Sequence, residues 1–476
     1  NIRLRLTLLS TESILLAVGL ILVCSLLWYL LARISTRALR SLPMLSRTGP
    51  FLAASAVCLA LLVGFTALSH GGGDSGRDGA ATTCTHDMNV LFVLIDAMRA
   101  DHLGCYGYPR ATSPNVDSLA SDGILFLDAY AHGSRTKEST ACLLTSQYPP
   151  AVNLFRDADI LPETQPTLME KMKEGGFRTA VLSANPLVSP QLGFGQGVDT
   201  FFCTNDKRAT EQTLLFSAIE TIRRHVPKLR WLRSVQTKLL RMLPTRSQTK
   251  SLDNWSADEV NEALLSWVDE DPESDFFAYV HYMEPHTPYV PPPPYDRMFD
   301  QDHDGPKVTA PPRSSLLLLP FIEGKPVTES VRTNMIAQYD GSIAYFDAAF
   351  GRLLKGLRDR GLAERTLIVL TADHGEEFYE HKGWAHGQSL YNELIRIPLI
   401  ISWPACLEGG QVVHSTARHI DLVPTILEAA GVEEESVDQC YEGVSLWPVI
   451  EAGADLDVGL PVLAELHRSG HYARAL

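Results

Sequence analysis

Five short apolar runs, spaced along most of the chain, restrict its fold more than any other feature. They are Val90–Ile95, Thr179–Ser183, Phe276–Tyr282, Leu367–Thr371 and Ile395–Ser402. Each is nearly continuous in apolar character, which suits a strand covered on both faces. Stretches with helical periodicity lie between and after them: Thr167–Glu174, Ala257–Val268, Tyr345–Arg360 and Asp421–Ala430. That alternation predicts an α/β fold, a mostly parallel central sheet flanked by helices. No internal repeat interrupts it.

Charge divides the chain. The 476 residues carry a net charge of −15, which argues against a general nucleic-acid partner. Residues 1–70 nevertheless hold six Arg and one Glu, a net of +5, leaving −20 for the remainder. Within that basic region Ile14–Ala32 and Phe51–Leu68 are uncharged runs of 19 and 18 residues. As a helix the first would be about 28 Å long, close to the hydrocarbon thickness of a bilayer. Arg33, Arg37, Arg40 and Arg47 between the runs place that loop in the cytoplasm by the positive-inside rule. The expected organisation is therefore a membrane anchor over 1–70 with two transmembrane helices (14–32 and 51–68) and a Gly-rich linker over 71–88. The main domain follows over 89–432 on the outer, periplasmic or extracellular side. Residues 433–476 read as the start of a small C-terminal subdomain, cut short.

Six Cys fall in the outward part, too sparse for a disulfide scaffold, and Cys406–Cys440 is the pairing expected. The segment 221–250 has nine Lys or Arg and no acid, interleaved with Leu, Met and Trp. It reads as an amphipathic insert able to lie on anionic lipid headgroups, or as a solvated helix face.

Ligands in open α/β sheets bind beyond the carboxyl ends of strands. Asp96 follows the first run, Asn185-Pro186 the second, Glu284-Pro285-His286 the third and Asp373-His374-Gly375-Glu376 the fourth. Four such ends predict one polar site. Asp96, Asp373 and His374 offer oxygen and nitrogen ligands for one divalent ion, Zn, Mn, Mg or Ca. Ser134–Thr145 reads as a polar loop entering a helix, where a hydroxyl next to a metal becomes a nucleophile. Lys137 would steady developing negative charge there. The same segment also reads as a Ser/Thr-rich cap. His286 and His386 are candidates for proton transfer or anion contacts. His281, His303 and His381 read as structural.

These motifs resemble the sulfatase family of the alkaline phosphatase superfamily. The resemblance is carried by Asn89–Asp96 with Arg99–Gly107, Ser113–Ala120, Leu143–Pro149, His281–Tyr289, Thr371–Glu376 and Tyr391–Pro398. It implies a metal-dependent enzyme acting on sulfate or phosphate esters. Family members of the usual type carry Cys or Ser in C/S-x-P-x-R, oxidised to formylglycine. Alignment on Leu143-Leu144-Thr145 puts Thr136 at that position, with Glu138 for the Pro and Thr140 for the Arg. Thr cannot give the aldehyde, so no formylglycine is expected. The family's paired Asp is Asp96-Ala97 here, and His386 stands in place of a Lys.

Those departures resemble the membrane phosphoglycerol and phosphoethanolamine transferases of the superfamily, which use a Thr nucleophile. The resemblance implies one metal held by Asp96, Thr136, Asp373 and His374, with Thr136, Lys137, His286 and His386 catalytic. A second metal would need an added Asp-x-x-x-His. Asp128 and His132 have that spacing but precede the nucleophile helix. The expected function is hydrolysis or transfer of a sulfate or phosphate ester through a covalent Thr136 intermediate, phosphoester favoured, on a lipid headgroup or glycan. The alternatives are a formylglycine-independent sulfuric ester hydrolase acting on a glycan, and an inactive ectodomain that binds an anionic glycan or lipid.

Overall fold

The computed structural model describes residues 88–155, 159–204, 250–252, 256–300, 328–432, 441–452, 461–468 and 471–475. They belong to one compact unit, Thr83–Leu476. The two uncharged runs at 14–32 and 51–68, the linker apart from Met88, the basic segment 221–250 apart from Lys250, and His303 lie outside the described residues. Among the described residues no helix is long and apolar enough to cross a membrane.

Among the described residues, nine strands in a row, with a tenth beside them, form the central sheet. In chain order they are β1 (Asn89–Ile95), β2 (Ile124–Tyr130), β3 (Arg178–Ser183), β4 (Thr200–Thr204), β5 (Lys250–Leu252), β6 (Phe276–Tyr282) and β7 (Thr366–Ala372). A short hairpin, β8 (Glu377–Phe378) and β9 (Trp384–Ala385), stands apart from the sheet. Then come β10 (Arg396–Ser402), β11 (Gln411–Val413) and β12 (Ala417–Arg418). The spatial order is β11-β2-β10-β7-β1-β6-β3-β4-β5, with β12 also paired to β2. β1 lies at the centre, parallel to both β6 and β7, and all seven of its residues are buried. Its unbroken apolar run follows from that double coverage.

β10 alone runs against the sheet, antiparallel to both β7 and β2. The sequence listed it with the other apolar runs, because apolar content does not encode direction. The reason is the connection. After β7 the chain does not cross back through a helix but stays at the carboxyl edge of the sheet, from Asp373 through the β8–β9 hairpin to Ile395. It re-enters the sheet from that edge, so it runs the other way. β2, missing from the five apolar runs, pairs with it from Arg396↔Tyr130 to Ile401↔Ile124. The carboxyl end of β2 thus reaches the same edge and leads directly to Thr136.

The helices start where their caps direct. Thr167 and Ser256 each form a capping box with the Glu three residues on, before the helices Leu168–Glu174 and Ala257–Glu270. Thr328 caps a helix of 31 residues, Glu329–Asp359, of which the sequence pattern revealed only the second half. The first half hides because Asn334, Gln338, Asp340 and Ser342 are buried, so polar residues interrupt its inward stripe. Leu446, Val449 and Ile450 join the main core, while β13 (Ala464–Arg468) pairs with β14 (His471–Ala475). The Glu465 N–H donates to the His132 carbonyl, which ties that hairpin to the loop after β2. Cys406 is disulfide-bonded, and Cys440 lies outside the described residues. Cys105, Cys142 and Cys203 are free thiols.

Candidate active site

The carboxyl edges of β1, β3, β6 and β7 bring their polar residues to one buried point. Asp96, one residue beyond β1, is fully buried. Its Oδ2 accepts from Asn185 Nδ2 at 2.6 Å and from His281 Nε2 at 3.2 Å. Asp373, one residue beyond β7, accepts at Oδ1 from the Ala97 N–H at 3.0 Å and the His374 N–H at 2.8 Å. Ala97 has φ +60°, a left-handed backbone that a non-glycine residue adopts at a cost. Tyr339 braces this turn: its hydroxyl donates to the Ala97 carbonyl and accepts from the Arg99 N–H, both at 2.8 Å. Thr136 opens the helix Thr136–Thr145 and is 4% exposed. Its Oγ1 lies 3.4 Å from Asn185 Nδ2 and 3.5 Å from His374 Nε2.

His374 decides what this cluster suits. Its Nδ1 is 2.9 Å from the Gly375 carbonyl, which can only accept, so Nδ1 carries the proton. Burial disfavours the charged ring and lowers its pKa. Nε2 is then an unprotonated acceptor, yet it faces Asp373 Oδ2 at 3.4 Å and Asp96 Oδ1 at 3.8 Å. Those two carboxylate oxygens are buried and have no hydrogen-bond partner among the described residues. Acceptors that face one another with no proton between them call for a cation. In a tetrahedral site with bonds of about 2.1 Å, ligand atoms lie about 3.4 Å apart, so the donor set fits a divalent metal. Among the described residues the three side chains whose ligand atoms all lie within 4.8 Å of one another are Asp96, His281 and Asp373, so His281 competes with His374 for the third position.

The charges reflect the same crowding. Burial pushes Asp96 up, but the imidazoles of His286, His281 and His374 outweigh it and hold the carboxyl well below the usual range. Burial and the neighbouring Asp96 charge push Asp373 up to about 6. One of two close carboxylates keeps its charge at the other's expense.

Of the remaining expected residues, His286 and His386 lie next to this cluster, whereas Lys137 is engaged with the backbone of Asp159. His286 Nδ1 is 2.5 Å from the Thr287 carbonyl, and its Nε2 is 4.0 Å from Asp96 Oδ1. His386 Nδ1 is 2.8 Å from Glu376 Oε1, and its ring centroid lies 4.3 Å from that of His374 and 4.8 Å from that of His286. Burial raises the fully buried Glu376 carboxyl, but His386, His286 and Tyr289 bring it below its ordinary value. The Lys137 ammonium donates to the Asp159 carbonyl. Asp128 pairs with Arg396 at 3.2 Å, and His132 Nδ1 is 2.6 Å from the Leu463 carbonyl. That Asp-x-x-x-His pair is therefore engaged away from the carboxylate cluster.

His281 corrects the sequence reading, which took it as structural. It is fully buried, and its Nε2 is at hydrogen-bond distance from Asp96. A signal was available: it is an ionisable residue one position from the end of an otherwise apolar and aromatic strand. Glu376, read only as part of a motif, emerges as the partner of His386. Asn185 emerges as the residue that links Asp96 to Thr136.

Comparison with known proteins bears on the family and the fold. A family model described as Sulfatase matches residues 88–432. N-acetylglucosamine-6-O-sulfatase of Bacteroides thetaiotaomicron is 23% identical over 413 residues, 76% of this chain and 71% of the relative. Human iduronate 2-sulfatase is 25% identical over 436 residues, 86% of this chain and 74% of the relative. Among solved structures, a protein bound to its substrate D-glucosamine-2-N,6-O-disulfate superposes with TM-score 0.61 at 18% identity, covering 82% of this chain and 87% of the other. The phosphonate monoester hydrolase of Agrobacterium radiobacter superposes with TM-score 0.57 at 22% identity, covering 80% of each chain.

Proposed function

The chain belongs to the sulfatase family and is an enzyme of that family, and we propose that it hydrolyses a sulfuric ester on a carbohydrate with Thr136 as nucleophile. The observation that carries the reading is the position of Thr136 Oγ1, buried at a helix N-terminus 3.5 Å from His374 Nε2 and beside the two carboxylates. The phosphoester preference drawn from the Thr yields to sulfate, because both relatives named above are glycan or uronate sulfatases.

Asp96, Asp373 and His374, with Thr136, would hold one divalent cation, which supplies positive charge that favours the Thr136 alkoxide and neutralises the ester oxygens. Thr136 Oγ1 attacks sulfur. The new O–S bond forms as the bond to the sugar oxygen breaks. The leaving oxygen takes a proton from His286 or His386, the two imidazoles at the mouth of the cluster. Water then attacks sulfur and gives a proton back to that imidazole as the bond from sulfur to Thr136 Oγ1 breaks, which releases hydrogen sulfate and leaves the Thr136 oxygen ionised as it was before the attack. His281 and Asn185 keep Asp96 oriented through its Oδ2. Glu376 accepts from His386 Nδ1, which leaves Nε2 of that ring to handle the proton. Lys137 acts on the segment rather than on the ester, through its bond to the Asp159 carbonyl. We propose further that the runs at 14–32 and 51–68 anchor the chain in a membrane, with the catalytic unit on the outer side.

The test is turnover of an aryl sulfate, an aryl phosphomonoester and an aryl phosphodiester by the metal-loaded protein, beside Thr136→Ala. Sulfate turnover that falls roughly 10³-fold or more in the variant supports the reading. A sulfated Thr136 peptide trapped by rapid quench would identify the intermediate. Best turnover on the phosphodiester would return the phosphotransfer reading, and equal rates in wild type and variant would remove Thr136 from the chemistry.

A further inference from the structure

The segment between β7 and β10 carries His386 on a backbone that does not hold itself. Tyr379, Lys382 and Ala385 have φ of +73°, +67° and +62°, left-handed values that a side chain disfavours, and Ala385 directly precedes His386. Such strain persists only where neighbouring groups fix it. From within, the buried Glu377 does so: its Oε1 accepts from the His381 N–H at 3.0 Å and the Gly383 N–H at 2.8 Å. From outside, Arg99 does so, 5% exposed and three residues beyond Asp96. Its Nε and Nη2 donate to the two oxygens of Asp101 at 2.8 and 2.7 Å, which sets the plane of the guanidinium. Its Nη1 donates across to the Glu376 carbonyl at 3.0 Å and to Glu380 Oε1 at 2.7 Å. The stem of Arg99 lies against Gly375. A Cβ there would stand 3.2 Å from Arg99 Cγ and 2.0 Å from the Glu393 carbonyl oxygen, so the segment is pressed between the two.

We propose that Arg99 is a positioning residue for His386. It joins the turn that carries Asp96 to the backbone of Glu376, and Glu376 in turn accepts from His386 Nδ1 at 2.8 Å. The His386 ring, its centroid 4.3 Å from that of His374, is thereby set against the carboxylate cluster from the turn that supplies Asp96 to it. The inference rests on the ester-hydrolysis reading above, in which His386 serves the reaction. The residue type fits the task. A planar guanidinium can hold both oxygens of Asp101 with one edge and reach Glu376 and Glu380 with the other, whereas an ammonium is a single point of charge. Exposed ion pairs fix little, but this guanidinium is buried and bonded to two separate segments at once. A loss of that tie moves His386 without removing any group that meets the ester, and small misplacements of this kind are costly in rate.

The experiment is a double-mutant cycle between Arg99→Lys and His386→Ala, read as kcat/KM for 4-nitrophenyl sulfate at saturating cation. Alone, Arg99→Lys should cost roughly tenfold or more; on top of His386→Ala it should cost less than about twofold, because the ring it positions is gone. Glu380→Gln, at a side chain 23% exposed, loosens the same tie with less disturbance of the core and should repeat the pattern at about threefold. Equal losses in the two backgrounds mean that Arg99 only supports the fold, and they overturn the inference. So does a His386→Ala protein as active as wild type. In both cases turnover that depends on Thr136 leaves the function standing. A readout without substrate separates the two readings. The Nδ1 proton of His386, identified as the downfield histidine resonance absent from His386→Ala, should vanish from the NMR spectrum of Arg99→Lys and remain in that of Thr136→Ala. Its loss in a protein that turns over no aryl sulfate supports the inference while the function fails. Its survival unchanged in Arg99→Lys overturns the inference whatever the substrate.

Discussion

One buried carboxylate, Asp340, and a buried pair, Asp96 and Asp373, behave oppositely. Asp340 on the long helix is fully buried, and both of its oxygens are used. Oδ1 meets His102 Nδ1 at 2.7 Å, and Oδ2 accepts from the Tyr108 hydroxyl and Arg110 Nη1, each at 2.7 Å. Asp96 and Asp373 are just as buried, yet each leaves one oxygen without a hydrogen-bond partner, and both of these oxygens lie near His374 Nε2. The first arrangement joins the loop after β1 to the helix and has no capacity left. The second tolerates repulsion and unmet hydrogen bonding, which a fold accepts only where something else binds. Burial of an acid therefore says little by itself. Whether its acceptors are saturated separates a strut from a site.

The sharpest way to break this contrast is to cross the two groups. Asp373→Asn should reduce turnover roughly 10³-fold or more while raising the stability of metal-stripped protein by on the order of 1–3 kcal/mol, since it removes one of two facing charges. Asp340→Ala should do the opposite: it strands His102, Tyr108 and Arg110 and costs about 3–5 kcal/mol. Urea unfolding in chelator, beside kinetics at saturating metal, checks both. If Asp373→Asn destabilises the stripped protein as much as Asp340→Ala does, the two groups are not different in kind.

Chelation sharpens the same contrast from the other side. Removal of the cation should lower the wild-type melting temperature and its return should restore it, an effect of about 4 kcal/mol at a thousandfold excess over Kd. Asp373→Asn should show almost none of this shift. Asp340→Asn should retain it in full.

Glu284 is only partly buried as a residue, though its Oε2 is buried, and its behaviour against pH is a smaller test. Burial raises it from 4.5 to about 7. Below about pH 4.5 it is neutral in both folded and unfolded chains. Between about 4.5 and 7 the unfolded chain ionises first, so folding must hold a proton and stability falls; above 7 the loss is constant. The amplitude is on the order of 2–3 kcal/mol. Glu284→Gln should flatten that part of the pH–stability curve, and an unchanged curve would mean the carboxyl is solvated. The smallest expected effect joins the two groups. Tyr339 neighbours Asp340 on one helix but braces Ala97 beside Asp96. Tyr339→Phe should cost about 1–2 kcal/mol in denaturant unfolding. It should also weaken metal binding, which Asp340→Asn should not.

Much of the sheet was legible without coordinates. The runs that became β1, β3, β6, β7 and β10 were delimited to within a residue or two, because strands buried on both faces must be apolar throughout. That Asp96, Asn185, Asp373 and His374 gather at one sheet edge was legible for a related reason: a polar residue just after such a run has the sheet edge to occupy. The long helix was half hidden because its first turns bury Asn334, Gln338 and Asp340, whose partners come from other segments.

What local sequence could not supply was pairing. Thr136 and His374 are 238 residues apart, Asp96 and His281 185, and Asp340 and His102 238. Nothing within a window of a few residues encodes which acceptor meets which donor over such separations. The sequence by itself determined where most of the strands form and which polar residues stand at their ends. Only the tertiary structure decided that His281 turns toward Asp96, that Glu376 holds His386, that β10 reverses the sheet, and that Asp96 and Asp373 keep one oxygen each unpaired while Asp340 keeps none. The physical reason is that apolar periodicity is a local property of the chain, whereas saturation of a buried charge is a property of everything packed around it.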